Sequence, residues 1–408
     1  MDRVEIGASL EFWGHGPVFI PRHVHRFVIG ATGSGKSTLL KNLIKADIDA
    51  GDGCCVIDPH GELVSWVLAR IPKHRTNDVI WFDPTDRRVI GLNPLERKNV
   101  LALEQTLKVV SQIWGADAWG PQSDFISRNV GLAVLEAVKR PTIFHVLRYF
   151  LDDDYGDRLF ARVKSSHLKA FHRKIHDDWD ARQKEQAQAP PLNKLDSFMK
   201  PAIRHVVGQE KGLDVRRAID EKKIILCPLP KRKLGPEAGA FIGAILLWRI
   251  LFAAFDRKTR DPFQVYIDEF HNFTRGESPE YILSETRKYG VFLTLADQTI
   301  AQLPEGSEQA IFGNVAVIVC GGVGAEDAKR LAGEFRLSEP GVLQDLTTGE
   351  WFLRVRGKDA IHFKGKDAEN GAGYLPQPDP WRIKRRSRAL YGRERKEIER
   401  ALNRILGG

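Results

Sequence analysis

The segment Phe27-Val28-Ile29-Gly30-Ala31-Thr32-Gly33-Ser34-Gly35-Lys36-Ser37 leaves this chain little choice of local architecture. An apolar run enters it and a helical apolar pattern (Leu39, Leu40, Leu43, Ile44) leaves it, which makes the middle a tight strand-to-helix turn. The turn fits the spacing G-x-x-x-x-G-K-[ST]. Gly33 and Gly35 let backbone N–H groups close around an anion with no Cβ in the way, and the following helix N-terminus faces the negative charge. That is the chemistry of a triphosphate site. Gly30, Ala31, Thr32, Gly33, Ser34, Gly35, Lys36, Ser37 and Thr38 are its candidate binding residues. Lys36 would reach the β- and γ-phosphates, and the Ser37 hydroxyl would take one place on Mg²⁺. A glycine-rich turn can match by chance, but the flanking strand and helix argue against that.

A second apolar run, Phe263-Gln264-Val265-Tyr266-Ile267, ends in Asp268-Glu269. Asp268 fits as the carboxylate that holds magnesium-bound water. Glu269, on the other side of the strand end, fits as the group that polarises an attacking water. With the phosphate loop, this reads as an NTPase and not a passive nucleotide binder. Gln298, after the run Leu293–Ala296, could reach the γ-phosphate; the plain alternative is a surface Gln at a helix start. Arg287 could act in cis, or in trans on a neighbouring subunit as a charge-stabilising finger. Its plain alternative is a surface Arg paired with Glu285 or Glu280.

Strand and helix patterns alternate over residues 1–96: strands at Arg26–Gly30, Gly53–Asp58 and Val79–Asp83, helices from Lys36 and from Gly61. This predicts a parallel sheet covered on both faces. Over 97–212 the strand pattern gives way to helical patterns at Val100–Trp114, Ser123–Lys139, Thr142–Leu151, Asp157–Phe171 and Leu192–Val206, an all-helical insertion broken by Pro190-Pro191. The α/β alternation resumes over 213–375, with strands at Lys223–Leu229, Val291–Ala296 and Val315–Cys320, and closes on a hairpin, Trp351–Val355 with Ala360–Phe363. Pro376, Pro378 and Pro380 then mark a linker to a basic helical tail, 376–408.

The net charge of +9 is uneven: the tail carries ten Lys/Arg against four acids, leaving +3 for the rest. Such a tail suits nucleic acid or an anionic membrane surface, and equally a solvated helix face with i,i+4 pairs. Cys54, Cys55, Cys227 and Cys320 lack metal-ligand spacing and read as buried thiols of a reducing compartment. No N-terminal charged-then-apolar segment suggests a secretory leader. Ala238–Phe255 is at the short end for a membrane span and contains Arg249, so a buried helix on the central sheet is the expectation. His172 and His176, with Asp177, Asp178 and Asp180 nearby, have a zinc-compatible i,i+4 spacing, but a solvated helix face accounts for them better. Asp58-Pro59-His60-Gly61 would contact nucleotide or a neighbouring subunit, or simply turn the chain, the turn being slightly preferred.

Several segments occur in a recognisable order: Gly30–Ser37, Val56-Ile57-Asp58-Pro59-His60-Gly61, Gly91-Leu92-Asn93-Pro94-Leu95, Tyr266-Ile267-Asp268-Glu269-Phe270, Ser284-Glu285-Thr286-Arg287-Lys288-Tyr289-Gly290 and Ala296–Leu303. Together they resemble the ATPases of type IV secretion and conjugation, the coupling proteins of TraG/TraD type within the HerA/FtsK group of DNA pumps. The resemblance spans most of residues 5–365. It implies an α/β, RecA-like P-loop NTPase domain with an inserted all-α domain, and a homo-hexameric ring that binds ATP and Mg²⁺ between subunits and moves single- or double-stranded DNA through its channel. It implies Lys36 and Ser37 on phosphate and metal, Asp268 on the metal water, Glu269 as base, Gln298 as γ-phosphate sensor and Arg287 as trans finger. A relaxase or secretion-channel proteins would be partners. Coupling proteins usually begin with transmembrane helices, whereas this sequence starts at the ATPase; the expectation is a cytoplasmic protein with no intrinsic span, peripheral to the inner membrane through partners. A soluble HerA/FtsK-like motor for mobile-element processing, repair or defence, and a nucleotide-gated assembly module with little turnover, are the alternatives.

Overall fold

The computed structural model describes residues 2–10, 16–114, 119–177, 179–273, 279–304, 306–368 and 379–407, with the side chains of 176, 177, 181 and 279 excepted. Its strands, in chain order, are β1 (Arg3–Ser9), β2 (Pro17–Pro21), β3 (Arg26–Ile29), β4 (Gly53–Asp58), β5 (Val79–Trp81), β6 (Arg88–Ile90) and β7 (Ile224–Pro228). There follow β8 (Phe263–Ile267), β9 (Val291–Asp297), β10 (Val317–Cys320), β11 (Glu350–Val355), β12 (Ile361–Gly365) and β13 (Gly392–Glu394). The chain divides into two compact units. The first is Met1–Phe82 with Val215–Pro230 and Ile250–Ser387; the second is Asp83–Asp214 with Lys231–Arg249 and Arg388–Gly408.

The first unit is built on one sheet, eleven-stranded among the described residues, in the order β2-β1-β12-β11-β10-β3-β9-β8-β4-β7-β5. From β10 to β5 the strands run parallel. Strands β3, β4, β8 and β9 are buried along their whole length, as continuous apolar runs covered on both faces require. Leu39, Leu40, Leu43 and Ile44 of the helix Lys36–Asp49 and Val64 and Val67 of the helix Glu62–Leu68 join that core. Asp47 lies fully buried in the last turn of the first helix, where the helix dipole disfavours an acid. Arg22 at 3.0 Å and the Tyr266 hydroxyl compensate it. Cys54, Cys55, Cys227 and Cys320 are free and buried, as expected.

Register places the chemistry. Ile29 pairs with Asp297, Leu295 with Ile267, and Ile267 with Ile57, so β3, β9, β8 and β4 end together. The predicted closing hairpin is β11–β12, and it carries the opening β segment as well, because β1 pairs antiparallel with β12 and β2 with β1.

The second unit is helical. Three expectations change there. Pro190 and Pro191 lie inside the helix Ala181–Leu195 and do not break it. A capping box from Asp180 to Gln183 starts this helix, and Ala187, Pro191 and Leu195 form a buried i,i+4 stripe that offsets the two lost donors. The predicted helices Asp157–Phe171 and Leu192–Val206 are each two helices. Asp152 caps Asp153–Phe160 before Ser166–Asp177 begins, and Pro201 opens Pro201–Val207 at a position where its missing N–H costs nothing.

The third change concerns the basic tail, whose described residues are not a loose appendage. In the first unit, Ile383 joins the sheet core, Ser387 Oγ accepts from Trp81 N at 2.8 Å, and Lys384 sits 3.8 Å above the Trp81 ring. In the second unit, β13 pairs with β6, and the Arg388 guanidinium holds the buried Asp86 carboxylate at 2.7 Å. Ile398, Leu402 and Ile405 of the helix Arg395–Leu406 are buried, and Glu399 bonds Arg204 and His205. Pro376 and Pro378 lie outside the described residues.

The helix Pro236–Phe255 is long and apolar enough to cross a membrane, at a mean hydropathy of 2.0, but 89% of that stretch is buried within the protein. Residues up to Arg249 belong to the helical unit and not to the sheet expected to cover them. There Phe241 packs on Trp114 and Phe198 at ring distances of 5.3 and 5.1 Å.

Candidate active site

The phosphate loop leaves β3 at Gly30 and enters the helix at Lys36. Gly33 (φ 86°) and Gly35 (φ 102°) both hold left-handed backbone, which an L side chain would strain. Flanking segments grip the loop. Ala31 N donates to Gly322 O at 2.7 Å, Gly349 N to Ser34 O at 2.9 Å and Thr348 Oγ1 to Gly33 O at 3.0 Å, while Trp351 is buried against Gly35. Gly35 caps the helix without a side-chain bond, so no side chain competes with an anion for the first-turn N–H groups.

Facing the loop are the ends of β8 and β9. Asp268 N donates to Ile57 O at 3.1 Å, which seats that residue between β8 and β4. Strand alternation would send Glu269 to the far side, as the sequence suggests. It does not, because Glu269 adopts left-handed backbone (φ 48°, ψ 56°), and both acids line the same cleft. A non-glycine residue held there stores strain, and the surrounding bonds fix it. Glu269 Oε1 accepts from Gln298 Nε2 at 3.1 Å and lies 2.9 Å from His60 Nε2; Oε2 accepts from Asn272 Nδ2 at 3.1 Å. Gln298 Oε1 in turn accepts from the Thr32 hydroxyl at 3.2 Å.

The cleft has a volume of about 280 Å³. It brings together Thr32, Gly33, Gly35, Lys36, Ser37, Thr38, Asp268, Glu269 and Gln298 from the sequence-predicted set, while Gly30, Ala31 and Ser34 shape the loop beneath. Lys36 Nζ donates to the carbonyls of Gly30 and Ala31. Burial lowers the Lys36 pKa, opposed by the carboxylates of Asp268, Asp297 and Glu269. Asp268 is pushed up to about 6, first by burial and then by Asp58 and Glu269, with Lys36 pulling the other way. An anionic pair of carboxylates beside a lysine and an open helix N-terminus fits a metal–polyphosphate complex: the metal would offset the acids and the phosphates would take the N–H groups. Mg²⁺ keeps most of its waters and takes few protein ligands, so a hydroxyl and a carboxylate beside phosphate oxygens, as Ser37 and Asp268 offer here, suffice to hold it.

Two lining residues, His60 and Asp297, stand outside the sequence-predicted site set. For the segment Asp58–Gly61 the sequence only slightly prefers a turn over a contact with nucleotide or a neighbouring subunit. Asp58 does cap that turn, accepting from His60 N at 2.8 Å and Val64 N at 3.1 Å, but the His60 ring meets Glu269. Asp297 also ends a buried apolar strand, the same signal that singled out Asp268. Its Oδ1 meets His271 Nδ1 at 2.6 Å, and burial raises its pKa.

Arg287 is not in this cleft. It is exposed before the start of β9, whereas the site lies beyond the strand's end, seven residues on and roughly 20 Å away at the usual rise per residue. A cis role is therefore ruled out. Glu285 pairs with Lys288 at 3.0 Å. His172 stacks on Phe160 at 4.2 Å and meets Asp157 at 3.1 Å, a packing role; the side chains of His176 and Asp177, and all of Asp178, lie outside the described residues.

The family model for the helicase HerA central domain matches residues 19–226, just over half of the chain. The chain belongs to the HerA central-domain family. A second model, the TraM recognition site of TraD and TraG, matches residues 262–335, which hold β8, β9 and β10. The motif resemblance to TraG/TraD proteins within the HerA group is thus borne out. No curated protein matches the chain. Among solved structures, the unbound bacterial conjugative coupling protein TrwBdeltaN70 superposes with a TM-score of 0.66 at 15% identity, covering 89% of each chain. VirB4 of Thermoanaerobacter pseudethanolicus gives 0.66 at 15%, over 89% of this chain and 96% of that one. TrwB in complex with ADP and Mg²⁺ gives 0.66 at 15%, over 87% of each. At these identities the likeness is one of fold: this HerA-family chain has the RecA-like P-loop NTPase fold.

Proposed function

We propose that the chain is an ATP-driven DNA translocase, a coupling-type ATPase of conjugative DNA transfer or type IV secretion that works as a homo-hexamer. The observation carrying this reading is Glu269, turned by a strained backbone into the phosphate-loop cleft and held there by Gln298, His60 and Asn272. A passive nucleotide binder has no use for a strained carboxylate so placed. In support, TrwB, with the same fold, has been captured with ADP and Mg²⁺, and the segment 262–335 matches the TraM recognition site of TraD and TraG. A TraM-like protein, a relaxase and secretion-channel proteins are accordingly the proposed partners.

In this mechanism the loop N–H groups and Lys36 bind the β- and γ-phosphates. Ser37 and Asp268 would hold Mg²⁺, which supplies charge neutralisation at the phosphate oxygens when bound. Glu269 takes the proton of a water whose oxygen attacks the γ-phosphorus, and the bond to the ADP oxygen breaks in line. Gln298, tied to both Thr32 and Glu269, reports the γ-phosphate to the base. Arg287 would act only from a neighbouring subunit. ATP hydrolysis measured with and without DNA tests the proposal: DNA should accelerate it, Lys36→Ala should abolish it, and Glu269→Gln should keep nucleotide binding while losing about 10²–10⁴ in turnover. A rate indifferent to DNA across a range of salt would overturn the motor. A HerA-type motor with no secretion role is the second reading, favoured by the longer reach of the HerA match; it differs in retaining neither relaxase nor channel proteins on the purified complex.

A further inference from the structure

A larger cleft, about 750 Å³, lies wholly within the helical unit. Six cations line it, Lys139, Arg140, Arg148, Arg158, Arg162 and Arg404, against one lining carboxylate, Glu210. They come from four segments: the turn after Ala137, the helix Ile143–Leu151, the stretch from Asp153 to Arg162, and the helix Arg395–Leu406. Their neutralisation is partial. Arg140 pairs with Glu210 at 3.1 Å, and Arg148 and Arg158 share Asp152 at 2.9 and 3.5 Å. Asp157, on the same helix, is engaged with His172. Among the described residues, Arg162 and Arg404 meet no carboxylate.

The guanidinium of Arg148 is held from three sides: Asp152, the Tyr155 ring at 4.5 Å and the Ile405 carbonyl at 2.8 Å. One fork is thus fixed among exposed, hydrated cations, and planar forks are the groups that grip phosphate oxygens in pairs. We propose that this cleft is a second anion site that binds a compact polyphosphate, of the inorganic or nucleoside polyphosphate class. Convergence of the cations on one concavity of small-molecule size favours such a ligand over a nucleic-acid backbone, whose charges are spread along a line. The site is independent of the phosphate loop. Its ligand would bridge Arg404 to Arg162, and so fasten the last helix to the stretch from Asp153 to Arg162.

Calorimetric titration of the full chain with inorganic tripolyphosphate, free of Mg²⁺, tests this. The Lys36→Ala chain should still bind one equivalent, although it no longer hydrolyses ATP. Adding Arg162→Ala and Arg404→Ala should weaken that binding at least tenfold; Arg162→Lys with Arg404→Lys, which keeps the charges and guards against misfolding, should weaken it less. An unchanged affinity in the double Ala variant, or no binding to Lys36→Ala at all, would overturn the proposal. A single-stranded oligonucleotide that displaces tripolyphosphate and binds the cleft more tightly would also overturn it, assigning the cleft to a nucleic acid instead.

Discussion

Gln298 donates its amide to Glu269 at 3.1 Å, so the residue after β9 and the residue at the tip of β8 form one unit. Because Gln298 also accepts from Thr32, a phosphate that displaces the Thr32 hydroxyl is felt at the carboxylate. Gln298→Ala should therefore lower kcat by roughly 10- to 100-fold while nucleotide affinity changes less than threefold. Steady-state turnover beside fluorescent-nucleotide titration checks this; a loss confined to affinity would remove Gln298 from the relay.

Arg287 lies at the opposite end of β9 from the cleft, so the role proposed for it is on a neighbour's nucleotide. Arg287→Ala alone should drop turnover by about 10³ with nucleotide binding intact. Mixed with Lys36→Ala subunits it should recover activity, since each variant supplies what the other lacks. Assemblies that form normally yet never recover would end the trans assignment.

His25 offers a pH prediction in the same unit. It is buried, its Nδ1 accepts from Leu293 N at 3.0 Å, and burial, helped by Arg287, lowers its pKa from 6.5 to about 4. Between those values the unfolded chain binds a proton that the folded chain refuses. Stability should then fall as the pH drops from 6.5 towards 4, by at most about 3 kcal/mol. Denaturant unfolding of His25→Asn, which keeps an acceptor for Leu293, should show a shallower decline; parallel curves would exclude His25 as the source.

A fourth prediction concerns fold alone. Arg336 closes the helix Ala325–Phe335 in left-handed backbone (φ 56°), with Leu337 N on Ala332 O at 2.9 Å. Its pairing with Asp359 is exposed on both sides and contributes little. Arg336→Gly should raise stability by up to about 1 kcal/mol and leave hydrolysis unchanged, read as a higher melting temperature.

What the sequence discloses about this chain is what short stretches decide. The β3–loop–helix passage and the acid-tipped β8 are legible because glycines, apolar runs and acids sit side by side. Asp297 was legible on the same terms. His60 was not: its meeting with Glu269 joins residues 209 apart, through strand order that no local pattern carries. The placing of β1 beside β12 is equally non-local. Pro190-Pro191 misled because propensity yields to a buried stripe. In the C-terminal stretch, Ile398, Leu402 and Ile405 already have helical spacing, but the count of basic residues drew attention to solvent and away from that apolar face.

The pairing of Gly392–Glu394 with Arg88–Ile90 also sets a timetable. Arg88 meets partners that lie 300 and more residues downstream, so the helical unit is completed only by closing a very long loop. Contacts so far apart in the chain form late, which makes this pairing a slow step of folding.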